Sequence, residues 1–269
     1  MKLSKSQLAA FDQNGVIYLP QLIDRNWQQK LAQAVENDIS NPGPFYHGYE
    51  VEGGGNFHGN MRLWENDEVF RAYCFESPLP EIAGQLTESN QINLFYDQLF
   101  VKEPGTNAPT RWHNDQPYWP IKGWNVLSFW VSLDNITLES GALEFVKGSH
   151  KWGKWFQPEP FAKGGEQYES NKDYLPIPDI DAERDQHEIL NWAMKPGDVL
   201  AFHGLILHGA PANSSQNIRR RGYTVRYCGD DVHYYDGVGT NKSLRNSKLK
   251  MGESLTSEQY PLVWKGDNL

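Results

Sequence analysis

Arg111-Trp112-His113-Asn114-Asp115-Gln116-Pro117-Tyr118-Trp119-Pro120 is the stretch on which the reading of this chain turns. His113 and Asp115 stand two apart, and along a β-strand residues i and i+2 leave the same face. Read as a strand, the segment aims an imidazole and a carboxylate at one place. That is two-thirds of the two-His-one-carboxylate set that holds Fe(II) and leaves coordination positions open. Alone, the pair carries little weight, since chance supplies roughly half of one His-x-Asp in a chain of this composition. Its other reading is a hydrogen-bonded couple on a strand. A third ligand, and a barrel to aim it, must come from elsewhere.

The surroundings have the pattern of a barrel. From Ile92 onward short strands alternate with turns: Asn93 to Val101, Val126 to Leu133, Leu143 to Val146, Val199 to Phe202 paired with Leu205 to His208 around Gly204, and Tyr223 to Tyr227. Such a series predicts a mainly β fold with flanking helices, an eight-stranded jelly roll whose mouth suits a metal site. Ahead of it, Ser4 to Asn14 reads as a helix capped by Ser4 and stopped by Gly15. Val16 to Leu19 reads as a strand, and Asp24 or Asn26 caps a second helix to about Asp38. Glu65 to Cys74 and Pro80 to Leu86 also look helical. Asn41 to Asn60 is a Gly- and Pro-rich loop, and Trp152 to Asn191 is a polar insertion; each reads as solvated surface or as a cover over the site. A single domain over residues 1–269 results, with a helical part to about 90, a jelly-roll core at about 92–228 and a lid-like insertion at about 152–191.

Composition limits the partners. A formal charge of −9 argues against nucleic acid or an anionic membrane. No apolar run approaches the roughly 18 residues that span a bilayer. Two cysteines without metal spacing, Cys74 and Cys228, and an amphipathic N-terminal segment point to a cytoplasmic protein. The ten Trp exceed what core packing usually asks for, so some should line a pocket. No motif specifies an oligomeric state.

His208 is the candidate third ligand, placed where a strand runs into the Gly209-Ala210-Pro211 turn. His203 is its rival, five residues earlier and on the opposite face of a continuous strand unless Gly204 breaks the count. Beyond His208 come Arg219-Arg220-Arg221, and a guanidinium offers two parallel donors for a carboxylate. The bland reading of that cluster is a set of surface salt bridges.

At this point the chain resembles the phytanoyl-CoA dioxygenase family of Fe(II)/2-oxoglutarate oxygenases. The resemblance rests on Leu99 to Pro104, Trp112 to Pro120, Val126 to Trp130, Gly141 to His150, Pro196-Gly197-Asp198, His208-Gly209 and Arg219 to Tyr227, in that order. It implies a double-stranded β-helix of the cupin-like kind, with His113, Asp115 and His208 on iron. By the same resemblance Arg220 anchors 2-oxoglutarate, since it precedes the small residues Gly222 and Thr224 in the family's phase; counting forward from His208 favours Arg219 instead. Trp130 takes the place of a family tryptophan beside the co-substrate, and Lys102 is a further carry-over. Ala210 stands where many members have a Ser, so that contact to the carboxylate is missing. Related halogenases lack the carboxylate ligand, and the presence of Asp115 favours hydroxylation.

The implied activity is hydroxylation of an unactivated C–H of a small molecule, consuming O2 and releasing succinate and CO2. Two alternatives stand beside it: a cupin-like metal enzyme that does not use 2-oxoglutarate, and a non-catalytic jelly-roll binding protein.

Overall fold

Local chemistry sets the first elements. Helix α1 (Lys5–Asn14) opens on a capping box in which the Ser4 hydroxyl accepts from the Gln7 N–H and the Gln7 side chain returns to the Ser4 N–H. It closes on Gly15, whose left-handed conformation (φ 78°) sends its N–H to the Phe11 carbonyl. Strand β1 (Val16–Leu19) follows, then helix α2 (Arg25–Ser40), whose Asp24 cap accepts from the Trp27 N–H, a contact worth about 1 kcal/mol. Strand β2 (Phe57–Met61), helix α3 (Glu68–Glu76), helix α4 (Leu79–Thr87) and the long strand β3 (Gln91–Lys102) complete the N-terminal part. The computed structural model describes residues 1–48, 56–160 and 168–266. Parts of the two segments read from sequence as covers, 49–55 and 161–167, therefore lie outside the described residues.

The remaining strands are β4 (Thr110–His113), β5 (Ile121–Lys122), β6 (Val126–Ser132), β7 (Glu144–Val146), β8 (Ile189–Asn191), β9 (Val199–His203), β10 (His208–Ala210), β11 (Arg220–Cys228), β12 (His233–Tyr234) and β13 (Leu262–Lys265). They form a jelly roll of antiparallel sheets. The larger sheet runs β1-β9-β6-β11-β3-β13 with β2 also on β3; the smaller runs β4-β10-β7-β8; and β5 pairs with β12. Among the described residues no helix is long and apolar enough to cross a membrane.

Strand β11 shows how the layers arise. Tyr223, Val225 and Tyr227 are buried with Val35, Phe70 and Tyr73 of the helices. The alternate residues Arg220, Thr224 and Arg226 line a cavity between the two sheets. One strand thus divides an apolar layer from a polar interior, as its two-residue period requires. On the facing sheet, Phe145 and Ala210 pack with Trp130, Leu200 and Phe202 of the larger one.

Three sequence expectations change. Leu205 to Leu207 is a turn, and β10 begins at His208 in the smaller sheet. The Gly204 N–H bonds to the Val126 carbonyl and the Ile206 N–H to the His203 carbonyl, while Ile206 and Leu207 fill two different apolar clusters. Residues 57–60, read as loop, belong to β2 on the β3 edge. Strand β4 stops at His113, so Asp115 is not on a strand at all: it has helical φ/ψ (−75°, −45°) and precedes a short 3-10 turn, Gln116–Tyr118.

Candidate active site

His113 and His208 face each other across the β4–β10 pairing as register partners, and their ring centroids are 4.2 Å apart. Asp115 joins them because the chain turns. Its N–H and that of Gln116 both donate to the Gly204 carbonyl (3.0 and 2.9 Å), which pins the turn under the two rings. One possible ligand atom from each of the three lies within 4.8 Å of the other two, and all three residues are buried. Backbone carbonyls fix the imidazoles: His113 Nδ1 donates to Arg111 O (2.8 Å) and His208 Nδ1 to Ile206 O (3.1 Å). That leaves Nε2 of each ring as the candidate ligand atom, the arrangement that orients a metal-binding histidine. His113 Nε2 is 3.3 Å from Asp115 Oδ1.

The charge states suit metal binding. Burial, followed by the charge of His113, pushes His208 down to about 3, so its ring is neutral at pH 7. Burial alone would raise Asp115, but the His113 hydrogen bond and the charges of Arg226 and His208 outweigh it and hold the carboxyl below its ordinary range. The Tyr118 hydroxyl donates to Asp115 Oδ1, and Ser128 Oγ lies 3.5 Å from Oδ2. Two imidazoles and one oriented carboxylate are a donor set for a divalent first-row metal with open positions.

These residues open on a cavity of about 530 Å³. Arg220, opposite Lys102 in the β11–β3 register, enters it with 2 % exposure. Its guanidinium lies over the Trp130 ring (5.0 Å), its Nε has no hydrogen-bond partner, and no carboxylate pairs with it among the described residues. Burial lowers Arg220 to about 10. Lys102 Nζ reaches Thr110 Oγ1 (3.3 Å) and the Pro211 carbonyl (3.2 Å); burial and then Arg220 hold it well below the lysine range. Two buried basic groups side by side, with no counter-ion among the described residues, form a receptor for an anion. Arg219, the alternative left open by the sequence, bonds instead to Glu36 and Glu103 at 2.7 Å each, and Arg221 to Asp134 at 2.7 Å.

His203 stands apart from the trio, packed on Trp124 and His150 (4.3 and 5.3 Å between ring centroids), with Nδ1 accepting from the Leu205 N–H. His47 and Tyr118 line the cavity. His58 pairs with Asp38 at 2.8 Å, and Asp231 accepts from the Trp124 N–H; both contacts serve the scaffold. Arg226 escaped the sequence reading. It is 3 % exposed, stacked on Tyr96 (4.3 Å), with Nη2 3.8 Å from Asp115 Oδ2. Counting in twos along β11 from Arg220 would have found it.

Residues 11–221 match the family described as phytanoyl-CoA dioxygenase (PhyH). The chain belongs to that family. The peroxisomal phytanoyl-CoA dioxygenase of Homo sapiens is 27 % identical over 184 residues, covering 66 % of this chain and 51 % of the relative. The chain thus spans about half the length of the phytanoyl-CoA dioxygenases it matches. Among solved structures, the non-heme alpha-ketoglutarate-dependent carbocyclase SnoK from nogalamycin biosynthesis superposes with a TM-score of 0.77 at 22 % identity, covering 97 % of each chain. The epimerase SnoN, solved with Fe3+, alpha ketoglutarate and nogalamycin RO, gives 0.75 at 18 % identity, covering 96 % of this chain and 98 % of that one. At such identities the likeness establishes a shared fold.

Proposed function

We propose that this PhyH-family protein is an Fe(II)- and 2-oxoglutarate-dependent dioxygenase that hydroxylates an unactivated C–H of a small molecule, using O2 and releasing succinate and CO2. The observation that carries the reading is the meeting, in one cavity, of the buried His113–Asp115–His208 trio with the guanidinium of Arg220, which has no carboxylate partner among the described residues. His113, Asp115 and His208 would hold iron. Arg220 would grip the distal carboxylate of 2-oxoglutarate through two parallel N–H bonds. Trp130 keeps that guanidinium in place, and Lys102 adds positive charge beside it. Phe202 and Leu143 wall the cavity with apolar surface, which keeps bulk water from the reacting centre. Tyr118 holds the Asp115 carboxylate through its hydroxyl and so limits which oxygen can turn toward the metal. Bound iron and 2-oxoglutarate supply the oxidising chemistry; the protein binds, orients and encloses.

The buried free thiols of Cys74 and Cys228 support placement in a reducing compartment, the cytoplasm being the default. The single-domain reading of residues 1–269 is part of the proposal, since the larger sheet shares one apolar cluster with the helices and another with the smaller sheet.

Anaerobic addition of Fe(II) and 2-oxoglutarate should produce a visible absorption band. Its absence, where a control oxygenase shows one, overturns the proposal. With the band in hand, a succinate-release screen across a metabolite library finds the substrate. Mass spectrometry then separates gain of one oxygen from loss of two hydrogens and from an unchanged mass, which matters because the matched structures are described as a carbocyclase and an epimerase.

A further inference from the structure

We propose that Arg226 is the substrate anchor, receiving an oxyanion (a carboxylate or a phosphonate) carried by a small substrate with a flat or apolar body. The inference rests on the function proposed above and names the substrate class for that site. Arg226 lies on the inward face of β11, in step with Arg220, and lines the same cavity. The two lie six positions apart, about 20 Å along the backbone. With the distal carboxylate of 2-oxoglutarate on Arg220, Arg226 stands in the cavity as a second guanidinium that is not part of that grip.

What surrounds Arg226 does not use it up. Its face is covered by Tyr96 (4.3 Å) and Trp119 (5.4 Å). Among the described residues its Nε and Nη1 have no hydrogen-bond partner, and Nη2 meets Asp115 Oδ2 only at 3.8 Å, beyond hydrogen-bond length. Asp115 is also the only carboxylate among the described residues that line the cavity, and it is the candidate metal ligand. The two charges of ferrous iron and the one of Arg220 balance the single charge of Asp115 and the two of 2-oxoglutarate. Arg226 then shares the one carboxylate of Asp115, 3.8 Å away, with the metal, and an anionic ligand would supply the counter-charge that is missing. Lys102, at the Arg220 end, can only add positive charge. Tyr96, Tyr118 and Tyr168 line the cavity with aromatic surface, which suits a flat or apolar body held by an anionic tip.

The test uses the full-length protein loaded anaerobically with Fe(II) and 2-oxoglutarate, titrated with phenylacetate, phenylphosphonate and the neutral phenylacetamide. Calorimetry gives the affinity and the visible band reports the metal. At least one anion is expected to bind about tenfold more tightly than the amide or better, shifting the band without bleaching it; the tighter of the two names the oxyanion. Arg226→Gln should erase that preference while the visible band still forms at saturating Fe(II) and 2-oxoglutarate. Arg226→Lys, which keeps the charge, should retain part of the preference. No anion preference in the wild type overturns the proposal, a result that does not depend on whether a variant folds. So does bleaching of the band by the anions, which marks competition with 2-oxoglutarate. A Gln variant that weakens iron binding yet keeps the preference also overturns it and makes Arg226 a positioning residue for Asp115. If the band never forms, the parent reading fails and the inference falls with it; a normal band with no anion preference sinks the inference alone.

Discussion

Neighbouring arginines with the same chemistry meet different fates because a strand turns its residues alternately. Arg219 and Arg221 spend their donors on Glu36, Glu103 and Asp134, whereas Arg220 is buried with unspent donors over Trp130. Charge-assisted hydrogen bonds are worth about 1.5–3 kcal/mol each. Arg220→Gln should therefore raise the half-saturating concentration of 2-oxoglutarate by roughly 30-fold or more, measured by anaerobic titration of the visible band. Arg219→Gln should change it by less than about threefold, since exposed ion pairs are worth little. A second expectation concerns the Tyr118 hydroxyl on Asp115. Loss of a group that orients a metal ligand typically costs about 10- to 100-fold in metal affinity. Tyr118→Phe should weaken Fe(II) binding by about that factor and leave far-ultraviolet circular dichroism unchanged; equal iron affinity would show that the turn at Asp115 needs no such support.

Strand β11 joins these contacts to the fold, and Gly222 is the residue that lets it do so. A Cβ there would come within 2.2 Å of the Trp130 ring, so the backbone passes the indole at a distance only glycine permits. Gly222→Val should cost about 1–3 kcal/mol as overpacking and lower Tm by roughly 2–10 °C. It should also weaken 2-oxoglutarate binding, because Trp130 is the surface on which Arg220 rests. What the sequence made legible follows the same division. Capping chemistry is local, so Ser4, Gly15 and Asp24 mark their helix ends from sequence alone. The two-residue period of β11 is local too, and it distinguishes inward from outward residues. The position of Asp115 is not local. Its turn is held by the Gly204 carbonyl, far along the chain, so His113 and Asp115 converge for a different reason from the shared strand face their spacing implied. In the same way Leu205-Ile206-Leu207 has strand composition but is bent by backbone bonds from its flanks, and β2 is a strand only because the β3 edge is there to receive it. Arg226 had no motif to announce it; its meaning lies in what is missing around it.

Several ionisable groups buried on the two faces of the larger sheet pull the stability of the metal-free protein in opposite directions with pH. His203 and His208 are each pushed down to about 3, chiefly by burial, from an ordinary value of 6.5. For these the unfolded chain binds more protons than the native one between those limits, so their contribution is complete above pH 6.5 and is lost as pH falls. Asp97 behaves in the reverse way. Fully enclosed beneath helix α3, it is raised by burial from 3.8 to about 7, despite hydrogen bonds from Tyr223 (2.6 Å) and the Trp64 N–H (3.0 Å). The native state therefore holds a proton on Asp97 that the unfolded chain has released, and stability falls as pH rises from about 4 to 7. Below pH 6.5 the two histidines outweigh the one carboxyl, and stability should climb by about 1.4 kcal/mol per pH unit. Between about 6.5 and 7 the carboxyl is the only one of these three groups still titrating, so their joint contribution peaks near pH 6.5. His47 and His150, both lowered mainly by burial, add to the rising limb. Asp97→Asn removes the opposing group. It should steepen the acid limb to about 2.7 kcal/mol per pH unit, abolish the decline above pH 6.5, and leave the variant more stable than the wild type at pH 8. Urea unfolding of metal-free protein at intervals from pH 4.5 to 8 measures both curves; superimposable wild-type and Asp97→Asn profiles would mean that the carboxyl under α3 titrates as it does in water.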